Sequence, residues 1–121
     1  MARVLVIDDD EQLRSAVLRA LARAGHDVVA APDVAAALRL QQEALADLIV
    51  TDIYMPGEDG MQAIRRFRQM WPTVKILAMS GGVLAGPADL GEHALLLGAN
   101  AVLAKPFELS HLLATARQLL R

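Results

Sequence analysis

The chain contains no cysteine, which excludes a disulfide framework, a thiolate nucleophile and any metal site built on sulfur, and suits a reducing compartment. Aromatic residues are only 3% of the 121 positions, too few rings for a module that stacks bases. Aliphatic side chains must therefore build the core. A dominant charge of one sign is also missing: twelve Lys and Arg against fourteen Asp and Glu leave a formal net charge of -2, too weak a field to draw the chain to nucleic acid or anionic lipid. No apolar run approaches the roughly 20 residues of a membrane span. The opening Met1-Ala2-Arg3-Val4-Leu5-Val6-Ile7 runs into three acids too soon for a signal peptide. The expectation is a cytoplasmic protein with neither a membrane nor a direct nucleic-acid partner.

Apolar material is plentiful, 55% hydrophobic against 21% charged, so the chain folds. Its length suits a single domain, residues 1–121, with no room for a second. Five short apolar runs punctuate it: Val4–Ile7, Val28–Ala31, Leu48–Val50, Ile76–Met79 and Ala101–Ala104. All are apolar throughout rather than alternating, which suits strands covered on both faces. Between them lie segments of helical period. From Gln12 to Ala24, Leu13, Val17, Leu21 and Ala24 recur at spacings of three and four, with Arg14, Arg19 and Arg23 left for the wet side. Asp33 caps a second helix to about Gln42, and Asp59 with Gln62 opens a third that ends near Trp71-Pro72. A fourth fits Asp89 to Leu97, and a fifth runs from Leu109 with Leu112, Leu113 and Ala116 on its stripe. Strand and helix alternate five times, so the predicted fold class is α/β: a doubly wound five-stranded parallel sheet flanked by five helices.

In an open parallel sheet, ligands bind beyond the carboxyl ends of the strands, so the residues after each apolar run carry the functional information. These are Asp8-Asp9-Asp10, Thr51-Asp52, Ser80-Gly81-Gly82 and Lys105-Pro106. Carboxylates crowded at one edge repel one another unless a cation or raised pKa values relieve them. Mg²⁺ fits, since it takes oxygen ligands from one or two carboxylates, waters and phosphate. Asp9 and Asp52 are assigned as direct ligands, Asp8 as holder of a metal-bound water, and the backbone carbonyl of Tyr54 as a further donor; Asp10 reads as a helix cap. A phosphoryl group arriving here would meet the Lys105 ammonium and the Ser80 hydroxyl, and Asp52 is the candidate nucleophile that forms an acyl phosphate. The chain has ten Arg but two Lys, so a lysine at a strand end points to a compact charge wanted there.

These residues resemble the receiver domain of bacterial two-component response regulators. The likeness runs from Arg3 to the last helix and rests on Val4-Leu5-Val6-Ile7-Asp8-Asp9-Asp10, on Leu48 to Gly57 with Asp59-Gly60-Met61, on Ile76-Leu77-Ala78-Met79-Ser80-Gly81, and on Leu103-Ala104-Lys105-Pro106-Phe107. The resemblance implies a flavodoxin-like (βα)5 fold with strand order 2-1-3-4-5. It implies that a histidine kinase or phosphotransfer protein donates a phosphoryl group to Asp52 with Mg²⁺ bound by the acidic cluster, and that Ser80 and Lys105 sense it. It further implies a change at the surface of the fourth helix, fifth strand and fifth helix that controls a protein partner or output domain. Such a domain is a switch rather than an enzyme, although it assists its own phosphotransfer and dephosphorylation.

Two positions depart from the family pattern. Val102 stands where an aromatic switch residue is often found, three residues before Lys105, and Tyr54 occupies a position that tunes dephosphorylation. A ring there shields the acyl phosphate, so a long-lived phosphoform is expected. On the fourth predicted helix, Leu90, Ala94 and Leu97 face the sheet. Leu95 and Leu96 are then near solvent, either as a face for partners or a homodimer or as the edge of a wide buried stripe. The histidines at 26, 93 and 111 are too scattered for a metal pair, and Arg65, Arg66 and Arg68 read as a solvated helix face.

Two rival readings remain. A phosphorylation-independent scaffold keeps the fold and binds partners constitutively. A Mg²⁺-dependent aspartyl phosphohydrolase needs an acid two residues beyond the nucleophile, and Tyr54 stands there. A flavin carrier is excluded because Asp8-Asp9-Asp10 would repel the cofactor phosphate.

Overall fold

A computed structural model of the chain describes residues 2–55, 58–81, 94–95 and 97–121. Pro56-Gly57, Gly82, His93, Leu96 and most of the fourth predicted helix, including Asp89 and Leu90, lie outside the described residues. Each apolar run forms a strand: β1 (Arg3–Ile7), β2 (Asp27–Ala31), β3 (Leu48–Asp52), β4 (Lys75–Ser80) and β5 (Ala101–Ala104). They make one parallel sheet in the spatial order β2-β1-β3-β4-β5. The order reverses beside β1, which opens a crevice between the carboxyl ends of β1 and β3. A short antiparallel ribbon, Tyr54–Met55 with Glu58–Asp59, follows β3.

The helices begin where the sequence offers caps. Helix α1 (Glu11–Arg23) starts at Asp10, whose carboxylate accepts from the backbone N–H of Gln12 at 3.0 Å and Leu13 at 3.2 Å. Helix α2 (Val34–Glu43) starts at Asp33, which accepts from Ala36 N at 2.8 Å. Helix α3 spans Gly60–Met70, and the C-terminal helix spans Leu109–Leu119. Ala94, Leu95 and Leu97 are helical, with Ala94 fully buried, Leu97 half-buried and Leu95 exposed, as their spacing predicts. No helix among the described residues is long and apolar enough to cross a membrane.

Alternate residues of each strand feed two separate cores. Leu5, Ile7, Ile49 and Ile76 pack with Ala37 of α2 and Ile64 and Phe67 of α3. Val4, Val6, Val50 and Leu77 pack on the other face with Val17 and Leu21 of α1 and Leu112 and Ala116 of the C-terminal helix. The inner strands are buried on both sides, which is why their sequences show no polar alternation.

One helix-face expectation fails. Arg68 is not a solvated charge: its guanidinium donates to the carbonyl oxygens of Gly98 (3.1 and 2.9 Å), Pro72 (2.8 Å) and Val74 (2.6 Å) and to Asn100 Oδ1 (2.8 Å). It ties the end of α3 to the turn that leads into β5. Gly98 lies at φ +127°, and a side chain there would meet Arg68 Cβ and Cγ at 2.8 Å, so this crossing needs glycine twice over. Arg65 and Arg66 are exposed, as expected.

Candidate functional site

Strand register assembles the site. Ile7 is the partner of Thr51, so the next residues, Asp8 and Asp52, arrive side by side at the crevice. Ser80 is the partner of Ala104, which brings Lys105 to the same rim, and Lys105 N donates to Ser80 O at 2.7 Å. The Lys105 ammonium lies 3.3 Å from Asp8 Oδ2 and 3.3 Å from Asp52 Oδ1. The Lys105–Pro106 bond is cis. Residues separated by 97 positions thus share one ion-paired cluster.

The two aspartates are nearly inaccessible, Asp8 at 0% and Asp52 at 4% exposure, while Asp9 is exposed. Burial raises the carboxyl pKa of both above the ordinary carboxylate value. For Asp8, the Asp10 N–H and Lys105 oppose that rise; for Asp52, Lys105 opposes it and the neighbouring Asp8 charge adds to it. One ammonium therefore does not fully compensate the clustered acids. Carboxylate oxygens of Asp8, Asp9 and Asp52 lie within 4.8 Å of one another, an all-oxygen donor set of the kind a hard divalent cation takes. The residues fit Mg²⁺ on that observation. Tyr54 N donates to Asp52 Oδ1 at 3.3 Å, and the Tyr54 carbonyl belongs to the ribbon that follows β3.

Neighbouring residues set this geometry. Asp8 N donates to Ala31 O at 3.2 Å, Asp10 N to Asp8 Oδ1 at 3.0 Å, and Ile53 N to Met79 O at 3.0 Å, so the peptides flanking both aspartates are anchored to adjacent strands or to the loop itself. Ser80 is buried at 7% exposure. The Tyr54 ring is half exposed and lies over Gly81, where an added methyl would sit 3.6 Å from Cδ2. Val102 packs against the core as a partly buried aliphatic residue.

Two contributors escaped the sequence. Arg14, expected on the wet side of α1, turns back and donates from Nη1 to the Asp8 carbonyl at 2.8 Å. Gly60 is buried against Ile53, the residue after Asp52: a Cβ there would lie 2.6 Å from the Ile53 carbonyl carbon and closer still to its oxygen. An Asp-Gly pair before a helix was the available signal, but it points to a turn before it points to a contact.

A groove of about 640 Å³ opens beside Lys105, lined among others by Leu13 and Ala16 of α1, Gly81, Phe107 and Leu109. A second cleft of about 560 Å³ lies between Gln41, Leu45, Met70 and Trp71, and none of Asp8, Asp9, Asp52 and Lys105 lines it.

The chain is 38% identical over 119 residues to the transcriptional regulatory protein PrrA of Mycobacterium tuberculosis, covering 98% of this chain and 50% of that protein. It is 34% identical over 120 residues to the DNA-binding transcriptional regulator NtrC of Azospirillum brasilense, covering 98% and 24% respectively. Against these curated relatives it spans half their length or less. Among solved structures, the Vibrio cholerae chemotaxis protein CheY4 superposes with a TM-score of 0.89 at 30% identity, covering 98% of both chains. NtrX of Brucella abortus gives 0.91 at 27% identity, covering 98% of this chain and 27% of that one. The sequence pattern of the response regulator receiver domain matches residues 4–117, and the chain belongs to that family of two-component signalling domains.

Proposed function

We propose that residues 1–121 form one receiver domain that works as a phosphorylation-activated switch, with Asp52 as the phosphoacceptor. The observation that carries this reading is the pair of buried carboxylates, Asp8 and Asp52, sharing one ammonium at 3.3 Å on the rim that the strand order opens. In the step itself, an Asp52 carboxylate oxygen attacks the phosphorus of a phosphohistidine on a histidine kinase or phosphotransfer protein. The O–P bond forms, the P–N bond breaks, and its electron pair returns to the imidazole nitrogen, which takes up a proton. Asp8, Asp9, Asp52 and the Tyr54 carbonyl would hold Mg²⁺, which when bound supplies the positive charge that offsets phosphoryl and carboxylate oxygens together. Lys105 moves from its two carboxylates toward the transferred group, and the Ser80 hydroxyl donates to it. The rival hydrolase lacks an acid at position 54, where the residue is a half-exposed tyrosine.

The groove beside Lys105 has an apolar wall, Leu13, Ala16, Phe107 and Leu109, suited to a helix of the phosphoryl donor. The response would be read on the other flank, at the segment around Leu95, β5 and the C-terminal helix, by a protein partner, an output domain or a second copy. Leu95 is 49% exposed, which supports a face of this kind. A ligand shifts such a surface only by favouring one of two states, here through Ser80 and Lys105. With neither a membrane-spanning helix among the described residues nor any cysteine, the cytoplasm is the proposed compartment.

The test is intact-mass measurement after incubation with a small-molecule acyl phosphate and Mg²⁺, with Asp52→Asn in parallel. One added phosphoryl unit on the unmutated chain alone is the expected result. No addition to either protein, with partner binding intact, would instead favour the constitutive scaffold.

A further inference from the structure

The loop between β1 and α1 must present two adjacent acids in opposite environments, Asp8 fully buried and Asp9 exposed. Asp8 is fixed at four points, of which three are its N–H, which donates to Ala31 O at 3.2 Å, its Oδ1, which accepts from Asp10 N at 3.0 Å, and its Oδ2, which meets the Lys105 ammonium at 3.3 Å. The fourth point is its carbonyl, which accepts from Arg14 Nη1 at 2.8 Å. That carbonyl belongs to the peptide unit joining Asp8 to Asp9, and a peptide unit is planar, so holding the oxygen also fixes the direction in which Asp9 leaves the strand. On its other side Asp9 is followed by Asp10, which is locked as the cap of α1. Arg14 therefore completes the frame around the most exposed of the three clustered carboxylates.

We propose that Arg14 is a positioning residue for Asp9, orienting its carboxylate toward those of Asp8 and Asp52 through the Asp8 carbonyl and thereby raising the affinity of the cluster for Mg²⁺. This rests on the reading of that cluster as a Mg²⁺ site. The guanidinium is half-buried and lies in the first turn of α1. Two physical effects of this side chain oppose each other. As a positive charge near the cluster it repels an incoming cation; as a hydrogen-bond donor it preorganises a ligand. Removing it separates them by sign. If charge dominates, its loss tightens Mg²⁺ binding, and if preorganisation dominates, its loss weakens it.

The experiment is calorimetric titration of Mg²⁺ into the unmutated protein, Arg14→Met and Arg14→Lys, with a urea midpoint for each. The expected result is roughly tenfold weaker Mg²⁺ binding in Arg14→Met, on the scale seen when an outer partner of a metal ligand is removed. Arg14→Lys keeps a donor and the charge and recovers part of that loss. Acyl phosphate modification of Arg14→Met is slow at limiting Mg²⁺ and reaches the unmutated rate at saturation, which a general loss of folding would not produce. Unchanged or tighter Mg²⁺ binding in Arg14→Met, with the unmutated protein binding normally, overturns the role of Arg14 and leaves the metal site standing. Absence of Mg²⁺ binding by the unmutated protein removes both.

Discussion

Asp8 and Asp52 are held at some cost to the fold. Their folded-state pKa values are raised by burial, so the native chain binds protons more tightly than the unfolded chain. Stability is then greatest when both are protonated and falls as pH rises from the ordinary carboxylate range through the raised folded values. Asp52→Asn removes one of these charges and still leaves Lys105 paired with Asp8. Without divalent cations it should be the more stable protein at neutral pH, with the gap shrinking toward the ordinary carboxylate range in urea titrations. A gap independent of pH would show that the carboxylate is not the cause. Tyr54 acts at the same scale. Its half-exposed ring lies beside Gly81, two residues after Asp52 in sequence, and if it screens an acyl phosphate on Asp52 from water, Tyr54→Ala should shorten the phosphoform half-life by roughly threefold to tenfold, a barrier change of about 1 kcal/mol, measured by decay of the added mass. Both acids and Lys105 were legible in the sequence because they terminate apolar runs. Arg14 was not, because helical period sorts charged residues to the solvent side and cannot see a side chain that folds back over the first turn.

Elements transmit these constraints through two contacts that local pattern does not encode. Gly60 begins α3 with no side chain because the Ile53 peptide occupies that space. Gly60→Ala should push α3 away from the acceptor strand, lowering stability by about 1–3 kcal/mol and slowing phosphoryl uptake in the mass assay. Arg68→Ala leaves the Gly98, Val74 and Pro72 carbonyls without the guanidinium donor and Asn100 Oδ1 with Ile76 N as its remaining donor, and a loss of about 2 kcal/mol in urea midpoint measurements is expected. Among the described residues, strand and helix boundaries were readable within a residue or two, since Asp10 and Asp33 cap and the apolar runs are uninterrupted; the start predicted for the fourth helix lies outside them. The Arg68 crossing was not readable, because most of its acceptors are backbone carbonyls, as far as 30 residues away, and carbonyls leave no mark in a sequence.

For the whole molecule, the clustered carboxylates of Asp8, Asp9 and Asp52 are where a bound cation would act on stability. Anything that binds only the native state stabilises it by mass action, about 2.7 kcal/mol at a hundredfold excess over its Kd. Mg²⁺ should raise the thermal midpoint of the unmutated protein and raise that of Asp52→Asn much less, as followed by scanning calorimetry. The topology itself was open to sequence reasoning: uninterrupted apolar strands demand cover on both faces, and crossover helices supply it. The outermost strand, β5, is only four residues long and runs directly into a lysine and a proline. A margin so brief, ended by a charge and by a residue that has no N–H to lend, is a poor template for another chain to zip onto. The flank proposed to meet partners can therefore offer side chains to them while resisting the runaway sheet growth that a longer, flatter border would invite.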